Sequence, residues 1–169
     1  MRPFHVGNIL VSSFIERDGP WRAPTTMFPT ADRETALSHL KNMAPQVYDA
    51  AQELLVITYQ TFVVRTPRHN ILIDTCVGDH KPLRGPALDY PKQPWLDGFA
   101  AHGLRFDDID YVFCTHLHVD HCGWNTRLIN GKWVPTFPNA TYIFGKVEYE
   151  AWETAANQAE RDERLSAVW

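Results

Sequence analysis

Apolar and polar positions along this chain cluster and break in an order that predicts a mixed α/β layer. Residues 5–15 (HVGNILVSSFI), rich in Val and Ile, predict a first strand. Residues 19–30 hold Gly19, Pro20, Pro24 and Pro29 and are expected to form a loop. Asp32 is positioned to cap a short helix reaching about Met43, with Pro45 stopping it. Two β-branched runs follow, 55–65 (LVITYQTFVVR) and 70–76 (NILIDTC), parted by Thr66-Pro67-Arg68-His69. They predict a hairpin joined by a short loop.

Glycines and prolines between residues 77 and 92 predict an irregular stretch. Residues 93–102 carry Trp95, Leu96, Phe99 and Ala100 at helical spacing, with Gly103 ending the helix. Residues 108–115 (DIDYVFCT) predict a short buried strand, polar only at its rims. A loop through Gly123, Asn130, Gly131, Pro135 and Pro138 should lead to a strand at 140–144, then to a helix from about Lys146 to Leu165. Strands dominate early and alternate with helices later, the order of a mixed α/β layer.

Composition narrows the function classes. The 169 residues fit one domain, and 44% hydrophobic against 21% charged residues is ordinary globular composition, which argues against disorder. The net charge is −4 and Lys and Arg are scattered, so no track for a phosphate backbone exists and nucleic-acid partners, nucleases included, are disfavoured. No apolar run approaches the roughly 18–20 residues needed to cross a bilayer. The first residues carry no secretory pattern. Cys76, Cys114 and Cys122 form no CxxC pair and suit a reducing compartment, so a cytoplasmic location is expected.

The chemistry concentrates at His116-Leu117-His118-Val119-Asp120-His121. On a helix, His116 and His118 would point about 200° apart. On an extended segment, residues i and i+2 project to the same side, and this segment directly follows a predicted strand. Two imidazoles at a strand end make two arms of a tetrahedral site. Asp120 and His121 follow the turn and can face a second position, with Gly123 easing the bend. Imidazole with carboxylate suits zinc foremost, with iron or manganese as alternatives, and the absence of a Cys ligand inside the motif fits a catalytic site.

With FCTHLHVDHCGW (113–124), ILIDTC (71–76), GLRFDDIDYV (103–112) and YIFGKVEYEAW (142–152), the chain resembles the metallo-β-lactamase superfamily, in particular its lactonase-like branch. The resemblance implies an αβ/βα four-layer sandwich, of which residues 1–169 are expected to supply a truncated, N-terminal half: a mixed sheet with helices on one face. It implies two divalent metal ions, His116 and His118 binding the first, Asp120 and His121 the second. Asp74 and Thr115 would stand behind them, hydrogen-bonding and orienting the motif. It further implies metal-assisted hydrolysis of a small molecule (a lactone, ester or amide) by a metal-bridged hydroxide, with Asp120 also orienting the nucleophile or passing a proton.

The family pattern also asks for later ligands, a further His, an Asp and a last His. None of the eight histidines lies beyond 121, and the only later Asp is Asp162. The chain is therefore expected to be a fragment with an incomplete site. The competing reading is a non-catalytic remnant or interaction module; a third is a homodimer or other partner completing the site. His5, His39, His69, His80 and His102 have no partner spacing and read as surface or satisfied residues. Cys122 reads as a buried filler. Trp124, Trp133 and Trp152 suit core packing or a pocket wall, and Trp21, Met27 and Phe28 a lid or a dimer contact. Asp107, Asp108 and Asp110 read as loop residues.

Overall fold

The computed structural model describes residues 1–81 and 88–154. In chain order its elements are β1 (Phe4–Val6), β2 (Ile9–Arg17), β3 (Pro20–Arg22), α1 (Pro24–Met27), α2 (Arg33–Asn42), β4 (Tyr48–Asp49), β5 (Leu54–Val56), β6 (Tyr59–Arg65) and β7 (Asn70–Ile73). There follow α3 (Gln93–Ala101), β8 (Tyr111–Phe113), α4 (Val119–Cys122), β9 (Thr126–Ile129), β10 (Lys132–Pro135), β11 (Thr141–Ile143) and α5 (Lys146–Trp152). The chain divides into two compact units, residues 17–58 and the remainder.

The larger unit is built on a six-stranded mixed sheet in the order β1-β2-β6-β7-β8-β11. The β1–β2 and β6–β7 pairs are antiparallel, whereas β8 runs parallel to both β7 and β11. Register sorts the side chains by face. Val63, Leu72 and Val112 lie opposite one another across three strands and are fully buried. Thr61, on the same face of β6, accepts a hydrogen bond from Trp95 Nε1 of α3 at 2.9 Å. Trp95 stacks on Trp124 (4.4 Å between centroids) and Phe99 (5.4 Å), with Phe14 edge-on at 5.3 Å. This aromatic cluster is the heart of the core. The other face carries Val64, Ile71, Ile73, Tyr111, Phe113 and Ile143, which line an open apolar depression. A mixed sheet covered by a helix on one face is the architecture expected.

The smaller unit pairs β3, β5 and β4 antiparallel, with Tyr48 and Leu55 buried. Helix α2 begins as expected: Asp32 caps it by accepting from Thr35 N at 2.8 Å.

Several boundaries differ from the sequence expectation. The first strand is a hairpin, because Gly7 takes φ +61 and turns the chain at Gly7-Asn8. The loop 19–30 holds β3 and the one-turn α1, whose first turn tolerates Pro24 because an N–H there needs no partner. The run 55–65 divides into β5 and β6, since its halves join different sheets. Residues 74–76 leave the strand, with Asp74 and Cys76 at φ +56 and +50. β8 is shorter than 108–115 and not wholly buried: Phe113 is 40% exposed because it points to the open face. The loop after Gly123 contains the β9–β10 hairpin, turned by Asn130 and Gly131 at φ +51 and +77. α5 ends at Trp152 with Glu153 as its C-cap, earlier than expected, and residues 155–165 of the expected helix lie outside the described residues.

Candidate metal centre

Two backbone segments, 74–78 and 121–125, are laced together at the ends of β7 and β8. Thr75 N donates to His121 O at 2.7 Å, Gly123 N to Cys76 O at 2.7 Å and Trp124 N to Thr75 O at 3.0 Å. The approach is so close that a Cβ on Gly123 would stand 1.9 Å from Val77 O, and one on Gly78 2.5 Å from Gly123 C. Gly123 itself has ordinary helical angles, φ −63 and ψ −45. Glycine is required there by this contact, not by the bend expected of it.

The motif follows directly. Leu117 is fully buried, which turns its two neighbours outward. His116 Nε2 and His118 Nδ1 come within 3.0 Å of each other. His118 then ends the extended stretch as N-cap of α4, whose single turn carries Asp120 and His121 back beside them. The rings of His116 and His121 are 3.9 Å apart, and His121 Nε2 is 3.6 Å from Asp120 Oδ2.

Asp74 organises this cluster. Its Oδ1 accepts from Thr115 N at 2.8 Å and from Thr115 Oγ1 at 3.0 Å, and its Oδ2 pairs with His121 Nδ1 at 2.8 Å. Burial works to raise the Asp74 pKa, but His121 and the Thr115 donors outweigh it and hold the carboxyl below the usual range. Burial likewise works to lower the His121 pKa; Asp74 and Asp120 prevail and raise it. Burial, with His121 and His118 nearby, lowers that of His116, favouring the neutral imidazole that ligates metals. With Nδ1 of His121 engaged by Asp74, Nε2 is its donor atom toward the cluster. Thr115 Oγ1 also meets His116 Nδ1, at 3.2 Å.

The donor set, three imidazoles and a carboxylate, fits divalent metal ions in kind. The facing nitrogens of His116 and His118, 3.0 Å apart, present lone pairs that call for a proton or a cation between them. Among the described residues, no group of three or more His, Cys, Asp or Glu side chains is disposed to hold one ion. The four residues are thus gathered as pairs, a partial shell.

Sequence reasoning missed two carboxylates. Glu16, 2% exposed, accepts from Val77 N (3.0 Å), Trp124 Nε1 (2.6 Å) and Tyr90 OH (2.6 Å), bracing both laced segments. Its signal was the period-two face of β2, where Ser12, Phe14 and Glu16 all point inward. Glu148 of α5 accepts from Leu117 N and Trp152 Nε1, each at 2.9 Å. Cys122 is a buried free thiol donating to His118 O at 3.1 Å. Trp124 belongs to the core, Trp133 lies under Lys81 Nζ at 3.9 Å, and Trp152 stands edge-on to His118 at 5.9 Å. Asp108 pairs with Arg105 at the end of a short 3-10 helix, Phe106–Asp108, and Asp110 accepts from Asn70 N in the link that follows. His69 and His80 sit beside Asp110 and Asp79, and His102 Nδ1 meets Gly98 O at 2.8 Å.

No helix of the described residues is long and apolar enough to cross a membrane. Residues 57–165 match the family profile described as the metallo-beta-lactamase superfamily. No curated protein matches the chain. Among solved structures, it is similar to the hydrolase AbOPH of the beta-lactamase superfamily (20% identity, TM-score 0.71), covering 98% of this chain and 53% of that one. It is similar to the dizinc quorum-quenching lactonase AidC (18% identity, TM-score 0.73), covering 99% and 55%. A third likeness is a probable metal-dependent hydrolase from Staphylococcus aureus (18% identity, TM-score 0.69), covering 92% and 54%. The chain spans about half the length of the solved structures it matches.

Proposed function

Because this chain belongs to the metallo-β-lactamase superfamily, we propose that its residues 116–121 serve a metal-dependent hydrolase acting on the carbonyl of a small lactone, ester or amide. The observation that carries this reading is the convergence of His116, His118 and His121 with Asp120 at one strand end, His121 held by a buried carboxylate. His116 and His118 would hold one divalent ion, Asp120 and His121 a second, zinc being the metal best suited to these donors. When bound, such ions lower the pKa of water and polarise a carbonyl oxygen.

The chain's own residues supply the rest. Asp74, with Thr115 behind it, fixes the His121 tautomer with Nδ1 toward the carboxylate, so that Nε2 faces the cluster. Asp120, at the rim beside His121, would take a proton from the attacking water and pass it to the leaving group. The dizinc lactonase among the structural neighbours supports a cyclic ester as substrate. Three free, buried thiols are in keeping with a cytoplasmic location.

A non-catalytic role is the second reading, favoured by the lack of a three-ligand group among the described residues. Metal content and turnover distinguish the two. With the later ligands of the family pattern also present, the protein should retain zinc and open a lactone or ester in a chelator-sensitive manner, and His118→Ala should lose both; the 169 residues alone should bind zinc weakly. Equal metal content and turnover in wild type and His118→Ala would refute the hydrolase reading.

A further inference from the structure

Helix α5 lies beside the histidine motif and contributes Glu148 and Trp152, four residues apart and so on one helix face. One oxygen, Glu148 Oε1, accepts from the backbone N–H of Leu117 and from the indole N–H of Trp152, each at 2.9 Å. Leu117 is the residue between His116 and His118. Its side chain is fully buried, so the core anchors one side of this peptide and Glu148 holds its N–H. Both contacts fix the peptide from which the two flanking imidazoles project, and their facing nitrogens lie 3.0 Å apart. Trp152, tied to the same oxygen, is held edge-on to the His118 ring at 5.9 Å.

We infer that Glu148 is a positioning residue: by hydrogen-bonding the Leu117 amide across 31 positions of sequence, it sets the spacing and orientation of the His116–His118 pair. The inference rests on the reading of that pair as metal ligands. The carboxylate touches neither ring; it acts through the peptide that joins them. Acceptance at the amide is what matters, so glutamine, whose side-chain carbonyl oxygen sits at the same reach, should substitute, and alanine should not. Aspartate, one methylene shorter, should fall short of the amide while keeping the charge.

The test compares wild type, Glu148→Ala, Glu148→Asp and Glu148→Gln in the full 169-residue chain, with Zn2+ alone as the probe. Glu148→Ala and Glu148→Asp should weaken Zn2+ binding by about tenfold or more, as loss of a partner that orients ligands commonly does. Glu148→Gln should stay within about threefold of wild type. In the metal-free proteins, the Leu117 amide and the His116 and His118 ring resonances should move in the alanine and aspartate variants and hold in the glutamine variant. A lowered Tm in Glu148→Ala with unchanged Zn2+ affinity would show a merely structural contact and overturn the inference. Should wild type bind no Zn2+, the ligand reading fails by itself. The ring resonances then decide alone: unmoved in Glu148→Ala and Glu148→Asp, they overturn the positioning role, and shifted there but restored in Glu148→Gln, they uphold it.

Discussion

Asp74 shows how much a single side chain can hold in this fold. Its carboxylate meets the amide and the hydroxyl of Thr115 and the ring of His121, from a left-handed backbone position that Asp tolerates better than most residues. Asp74→Asn should lower the His121 pKa from its raised position, observable in a ring-resonance titration, and weaken zinc binding about 10–100-fold. The pair also makes stability depend on pH. His121 is raised above 6.5, so its contribution is full below that value and lost as pH rises through the folded-state pKa. Asp74 is lowered below 3.8, so its contribution is present above that value and lost as pH falls through the folded-state pKa. Urea denaturation of the metal-free protein should therefore separate wild type from Asp74→Asn most clearly between about pH 4 and 6.5; a pH-independent difference would count against the pairing. Gly123→Ala tests the lacing of the two segments. With backbone as the neighbour at 1.9 Å, the loss should reach at least about 2 kcal/mol by the same method.

At the level of elements, the sheet turns one face to a core and the other to an open depression, and adjacent residues of β8 report the difference. Val112→Ala should cost about 1–2 kcal/mol, because Val112 is fully buried. Phe113→Ala, at a residue 40% exposed, should cost less despite the larger side chain removed. Equal or reversed losses in denaturant titrations would contradict the assignment of faces. In α2, the Asp32 carboxylate is held below its ordinary 3.8 by the Thr35 amide and hydroxyl. The cap is therefore intact above that value and lost as pH falls through the lowered one, so amide exchange at Thr35 should quicken there and in Asp32→Ala at any pH.

For the molecule as a whole, the proposed function predicts linkage between metal and folding. Zinc at about 100 times its dissociation constant should add about 2.7 kcal/mol to the stability of wild type, and His118→Ala should gain far less. A Tm indifferent to zinc in both would remove the metal from the account. The sequence by itself determined the local facts: strands from β-branched runs, α2 from its Asp cap, α3 from Trp95 and Phe99 at helical spacing, and the outward pair from the i, i+2 spacing of His116 and His118. These depend on backbone geometry within a few residues, and spacing is enough to read them. Only the tertiary structure decided that 55–65 divides between two sheets, that Gly123 answers to Val77, that Glu16 reaches Trp124 from 108 positions away, and that Glu148 holds the motif at Leu117 from 31 positions away. Such contacts join segments whose separation along the chain carries no periodic signal, so the physics that selects them, burial of a carboxylate with its donors and backbone meeting backbone, exists only once the chain has packed.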